Sequence, residues 1–186
     1  MRTFIAIDLD PAIKATLVDF LKRLRKVNDR DISWSSLDGL HLTLKFLGEI
    51  QPEKVDRVKD TLVRLIPSFP TFPLVLKGTG YFPNNTKFIR VLWAGVFEQP
   101  NLMNLQREIV FHLQNQGFLS EEHPFHPHLT LGRVKSVLKL ADVLNELERY
   151  QYSDFGQMTV SKITLFESRL RPLGAVYTPL AEFSLS

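Results

Sequence analysis

The chain contains no cysteine. Disulfides and thiolate metal sites are therefore excluded, and the composition suits the cytoplasm. No apolar run approaches the roughly 18 residues that a membrane helix needs. The apolar opening Phe4-Ile5-Ala6-Ile7 is cut short by Asp8 and Asp10, which argues against a signal peptide. Nothing resembles a glycine-rich phosphate loop or a nucleotidyl-transfer lysine motif, so ATP-driven chemistry is not expected. No low-complexity linker divides the 186 residues, a length that fits one domain with two lobes. With 44% hydrophobic residues the chain is neither disordered nor membrane-spanning in composition.

What is present is a duplication. His41-Leu42-Thr43-Leu44 recurs as His128-Leu129-Thr130-Leu131, 87 residues later and about half the chain length away. Histidine is scarce, with 5 in the chain, so two copies of the tetrapeptide are far from a chance outcome. Each copy carries a similar tail, Lys45-Phe46-Leu47-Gly48 and Gly132-Arg133-Val134. The pattern reads as two related halves, each giving one histidine and one threonine. Both copies lie in strand-like segments, where residues i and i+2 share a face. Leu42, Leu44, Leu129 and Leu131 then enter a core, and His41, Thr43, His128 and Thr130 stand opposite. If the halves face each other across a pseudo-two-fold axis, two imidazoles and two hydroxyls line one cleft.

The rest of the chain supplies the frame. A strand is expected at 2–8, followed after Pro11 by a helix with Ile13, Leu17, Phe20, Leu24 and Val27 at helical spacing. Val55, Val58, Leu62 and Leu65 mark a second helix, and Leu102, Leu105, Ile109 and Leu113 a third. Strands at about 71–82 and 88–97 flank a Pro83-Asn84-Asn85 turn. A fourth helix near 138–150 precedes strands at about 155–169 and 176–185. The expected class is α+β: bilobal and pseudo-two-fold, with two mainly antiparallel sheets, helices packed outside and a central cleft.

Histidine titrates near pH 6.5, so one ring can act as a neutral base while its neighbour is a protonated acid. In-line displacement at phosphorus has entering and leaving oxygens at opposite apices, which a base facing an acid serves. The threonine hydroxyls can donate to the non-bridging oxygens, and Arg133 can add a charge-assisted grip. The scheme needs no metal. A rival metal reading would use His126 and His128, which share strand parity, perhaps with His41. The acidic ligands usual in metallohydrolases are missing beside either motif, and Glu121 and Glu122 fall outside the strand. His126, between two prolines, reads as a rim residue, and His112 and His123 have no motif support.

His41-Leu-Thr-Leu-Lys-Phe-Leu-Gly48 and His126-Pro-His-Leu-Thr-Leu-Gly-Arg133 resemble the paired signatures of the two-histidine phosphoesterases. Within them the chain is similar to the RNA 2′,3′-cyclic phosphodiesterases, also called 2′-5′ RNA ligase-like proteins. The likeness extends to the opening Arg2-Thr-Phe-Ile-Ala-Ile7 strand, to Trp34 and to Tyr177-Thr-Pro-Leu180. It implies catalytic roles for His41 and His128, phosphate contacts from Thr43, Thr130 and Arg133, and a nucleobase stacked on Phe46. It implies no cofactor and no metal. The implied partners are RNA or oligonucleotide ends with a 2′,3′-cyclic phosphate, with no membrane and a monomeric chain.

Phe46 and Arg133 each lie five residues past their histidine, the wrong parity for the histidine face. A bulge or strand end must re-aim them, and Gly132 is a natural place for one. By the resemblance, ring opening leaves a 2′-phosphate, so the 3′ oxygen departs. His41, beside Phe46, is then expected to protonate that oxygen and His128, beside Arg133, to activate water. The alternatives are ATP-independent 2′-5′ ligation and a non-catalytic module that binds RNA ends. The mild net charge of +3 would attract an RNA backbone without specifying sequence. The one basic run, Lys22, Arg23, Arg25 and Lys26, ends a helix, where cations favour the dipole and a solvated face is usual.

Overall fold

Three helices start on proline, which lacks the N–H that a first turn leaves unpaired. In the computed structural model, which describes residues 1–36, 39–85, 87–119, 123–171 and 174–186, these are α1 (Pro11–Val27), α2 (Pro52–Leu65) and α3 (Pro100–Gln114). A fourth, α4, spans Ala141–Arg149. Ile13, Leu17, Phe20, Leu21 and Leu24 of α1 are buried at helical spacing, and Arg25 and Lys26 occupy its last turn. Asn28 ends it: its side-chain oxygen accepts from the Arg30 and Asp31 amides at 3.1 and 3.0 Å. Its backbone oxygen accepts from the Trp34 indole at 2.9 Å. That turn delivers the chain into a three-residue strand, β2 (Ile32–Trp34), which the sequence pattern did not predict because it is too short to show a period.

The other strands are β1 (Arg2–Asp8), β3 (His41–Glu49), β4 (Phe72–Phe82), β5 (Val91–Val96), β6 (His128–Val134), β7 (Asp154–Val160), β8 (Lys162–Arg171) and β9 (Gly174–Ser184). Every pairing among the described residues is antiparallel. The order is β7-β4-β5-β6-β3-β1-β8-β9, with β2 on β6. The two expected sheets are thus β3-β1-β8-β9 and β6-β5-β4-β7. They are joined edge to edge through one register pair, Leu42↔Leu129.

The lobes are not the two halves of the chain. β8 and β9, from the C-terminus, complete the sheet of β1 and β3. α1, from the N-terminus, packs on β7 and α4, whereas α3 packs on β3 and α2. The single strand expected at 155–169 is two strands broken at Ser161, one in each lobe. The burial pattern changes at the corner, from rough alternation along β7 to an unbroken buried run over Ile163–Glu167 of β8, but which sheet each strand joins is not a local property. β5 begins at Val91 rather than 88, because the Arg90 amide closes the preceding turn on the Phe82 carbonyl at 2.8 Å.

Each motif strand carries a bulge just past its threonine. Along β3, Thr43 pairs with Ala6 and Lys45 with Ile5, which leaves Leu44 without a facing partner. Along β6, Thr130 pairs with Trp93 and Gly132 with Leu92, which leaves Leu131 extra in the same way. One extra residue reverses parity. Phe46 opposite Phe4 returns to the face of Thr43 opposite Ala6, and Arg133 opposite Val91 to the face of Thr130 opposite Trp93. Gly132 is the tight point of the second bulge. A Cβ there would stand 2.7 Å from Ile32 Cγ2 and 2.8 Å from Trp34 Cε3. Gly132→Ala should destabilise the protein by about 1–3 kcal/mol, as overpacking does. A urea midpoint equal to that of the unsubstituted protein would show that the second bulge has room to spare.

Candidate active site

The Leu42↔Leu129 pair is the centre of the site. Both leucines are fully buried, and with Leu44 and Leu131 they join the helices in the main core. Their neighbours therefore face the other way. The antiparallel sense of the pair sets His41 toward Thr130 and Thr43 toward His128 on one face of the sheet. All four are half-buried. Ser35 pins the second motif from beside it: its hydroxyl donates to the Thr130 carbonyl at 2.7 Å and its amide to the Leu131 carbonyl at 2.8 Å.

His41 stands in an aromatic box. Phe4 stacks on its ring at 4.7 Å, Tyr177 meets it edge-on at 5.1 Å, and Phe166 lies behind Phe4 at 5.3 Å. Asp8 is its register partner on β1 and is ion-paired to Lys14 at 2.8 Å. Burial pushes the imidazole down to about 4; the Asp8 carboxylate and the Gly39 carbonyl pull it up, and the Lys14 ammonium adds to the lowering. Sequence reading missed Phe4, Asp8 and Phe166. β1 is apolar on both faces, so parity could not say which of its residues meet the histidine.

His128 repeats the arrangement with different neighbours. Its Nδ1 lies 2.7 Å from the His126 carbonyl. A carbonyl can only accept, so Nδ1 carries the proton and Nε2 is the unprotonated nitrogen of the neutral ring. His41 has the matching bond to a carbonyl two residues upstream, that of Gly39. Phe82 meets the His128 ring edge-on at 5.1 Å, as Tyr177 meets His41. Burial lowers this imidazole as well; the His126 carbonyl opposes it, and the Arg133 guanidinium and His126 ring add to it.

Phe46 is 52% exposed on the histidine face, 6.1 Å from Phe4, and is not a core residue. Arg133 is exposed on the same face beside His128. Trp34, singled out only by resemblance, packs behind the second bulge. His126 is exposed on a rim, 3.8 Å from Glu98, and His112 and His123 are exposed elsewhere. Glu121 and Glu122 lie outside the described residues. Among the described residues no three histidine or acidic side chains converge as metal ligands. None of their helices is long and apolar enough to cross a membrane. In the basic run of α1, Arg23 bonds the Tyr150 hydroxyl, and Arg25 bonds the carbonyl of Ser35, the residue that pins the second motif.

Residues 11–171 match the 2′-5′ RNA ligase superfamily. The chain is 33% identical to the RNA 2′,3′-cyclic phosphodiesterase of Methanothermobacter thermautotrophicus, over 100% of this chain and 99% of that one. It is 34% identical to the protein of the same name from Methanocaldococcus jannaschii, over 98% and 100%. Among solved structures, LigT of E. coli complexed with 3′-AMP superposes with a TM-score of 0.81 at 27% identity, covering 100% of this chain and 98% of that one.

The His41 surroundings carry a pH signature. Its folded value near 4 lies below the unfolded value near 6.5, so the unfolded state binds more protons between them. The contribution to stability is complete above pH 6.5 and is lost as the pH falls toward 4, by at most about 3 kcal/mol. Ring-proton NMR should show His41 titrating near pH 4, and lower still in Asp8→Asn, where Lys14 acts unopposed. An unchanged or raised value in that variant would remove Asp8 from the account.

Proposed function

Because the chain belongs to the 2′-5′ RNA ligase superfamily, we propose that it opens the terminal 2′,3′-cyclic phosphate of RNA or oligonucleotide ends to a 2′-phosphate, using His41 and His128 without a metal. The observation that carries this reading is the Leu42↔Leu129 seam, which places two imidazoles and two threonines on one face. Full-length relatives named for that reaction support it, as does the LigT complex with a nucleotide.

Phosphorus sits between the rings, with the Thr43 and Thr130 hydroxyls donating to its non-bridging oxygens and Arg133 holding the charge. The base of the terminal nucleoside stacks on Phe46, which draws the departing 3′ oxygen toward His41. His41 protonates that oxygen, and His128 takes a proton from the water entering opposite. The flanking charges agree with this division. Asp8 favours the imidazolium at His41, while Arg133 disfavours it at His128. In the free protein burial keeps both rings neutral near pH 7, and the negative phosphate then favours the proton that His41 must hold.

Each histidine is worth about 10²–10⁴ in rate as an acid or base, so His41→Ala and His128→Ala should nearly abolish turnover with the fold intact. An acid is dispensable when the leaving group is already a stable anion, whereas water must always be deprotonated. A nitrophenyl phosphodiester should therefore partly rescue His41→Ala and not His128→Ala. Rescue of the other variant would reverse the roles; activity abolished by chelator and restored by a divalent ion would overturn the metal-free scheme.

The two re-aimed residues should differ in what they lose. Arg133→Ala should forfeit about 1.5–3 kcal/mol of transition-state stabilisation, the range for a hydrogen bond to a charged group, and Arg133→Lys should recover little. Phe46→Ala should cost about 1–3 kcal/mol on substrates with a base. It should cost much less on a cyclic phosphate without one. Equal losses on both substrates would assign Phe46 to structure rather than to stacking.

A further inference from the structure

Both motif histidines lean on a carbonyl two residues upstream, but the chain fixes the two carbonyls by different means. In His126-Pro127-His128 the proline does it. Its ring sets one backbone angle and confines the residue before it to extended conformations, so the His126 carbonyl has little room to turn. The Val96 amide then donates to the Pro127 carbonyl at 3.2 Å. The equivalent segment of the first motif is Gly39-Leu40-His41, with no proline. Leu40 is fully buried and anchors one side of the peptide, but glycine is the residue whose backbone turns most readily. A contact from outside the segment must hold the Gly39 carbonyl.

Tyr177 of β9 makes that contact. A Cβ on Gly39 would stand 3.2 Å from Tyr177 Cε2 and 2.9 Å from Ser36 Oγ, so only a hydrogen fits there. The same ring meets His41 edge-on at 5.1 Å and Phe4 at 5.3 Å. Tyr177 is itself fixed by its pairing with Ser168 of β8. One side chain thus packs against both residues of the bond between His41 and Gly39. We propose that Tyr177 is a positioning residue for His41: its ring holds the Gly39 carbonyl against the Nδ1 proton and so reserves Nε2 for the departing oxygen. The proposal rests on His41 acting in the reaction put forward above. Which nitrogen of a neutral imidazole carries the proton is set by the bond that the other makes. With Nδ1 bound to Gly39, Nε2 is the nitrogen that takes up a proton and hands it on. A ring released from Gly39 exchanges between two tautomers, and only one of them is productive.

The test pairs ring-nitrogen NMR near neutral pH with turnover of adenosine 2′,3′-cyclic phosphate. In the unsubstituted protein both His41 and His128 should show the tautomer protonated at Nδ1. Tyr177→Leu should give His41 a mixture of tautomers and leave His128 unchanged. Its kcat should fall about tenfold to a hundredfold, the effect of a slightly misplaced reacting group, with KM nearly constant. Tyr177→Phe keeps the ring and should restore both tautomer and kcat. Gly39→Ala, which places a methyl group in the filled space, should mix the His41 tautomers as Tyr177→Leu does, and it carries the test if the leucine variant does not fold. A single Nδ1-protonated His41 in both Tyr177→Leu and Gly39→Ala would overturn the proposal. So would mixing at both histidines, which would mark a general loosening. A loss in Tyr177→Phe as large as in Tyr177→Leu would show that the hydroxyl acts on the substrate directly, and a loss confined to substrates with a base would show that Tyr177 touches the base; either result also overturns it. Failure of the hydrolytic reading would appear instead as unsubstituted protein inert on cyclic phosphates, with the tautomers responding as described.

Discussion

The site depends on one narrow join between two sheets. β3 and β6 meet at Leu42↔Leu129, and both motif histidines and both motif threonines are arranged around that pair. The leucines are drawn into the helix-covered core because water is excluded there, and the pleat then sends the intervening histidines and threonines to the opposite face. A shift of one residue at the join would bury the imidazoles of one strand and expose its leucines. The bulges after Thr43 and Thr130 add the second half of the constraint. Without them the polar face would end at the threonines; with them it extends to Phe46 and Arg133.

The two motifs are equivalent in backbone and unequal in electrostatics. Each histidine is oriented by a carbonyl two residues upstream and by one aromatic edge. Burial holds both below their usual range, so neither ring is protonated at neutral pH by its own environment. Asp8 at one ring and Arg133 at the other then make the pair electrostatically unequal. An anion beside the rings would favour the imidazolium that burial disfavours.

The same inequality extends to what flanks the rings. On the first-motif side Phe4, Phe166 and Tyr177 close around His41 and leave Phe46 as the exposed aromatic. On the second-motif side Phe82 meets His128 edge-on, and Gly80 and Gly95 leave space for Trp93 against the sheet. A duplicated core thus carries one exposed aromatic, Phe46, on one flank and a walled groove on the other. Pseudo-symmetry governs the backbone of the paired motifs; outside them it is lost.

By itself the sequence determined the helices, most strands, the α+β class, and the shared face of His41 with Thr43 and of His128 with Thr130. Those properties are local: apolar spacing, proline at helix starts and a two-residue pleat act over a few neighbours. Taken with the family resemblance, it also required a break in parity before Phe46 and Arg133, since five residues cannot return to the starting face in a regular strand. Only the tertiary structure decided the rest. It split 155–169 between two sheets, handed α1 and α3 to the lobes opposite their preceding strands, and brought Asp8, Phe4 and Phe166 to His41. Strand partners and helix docking depend on which apolar surfaces meet across the core. Residues far apart in the chain settle that together, and no local period records it.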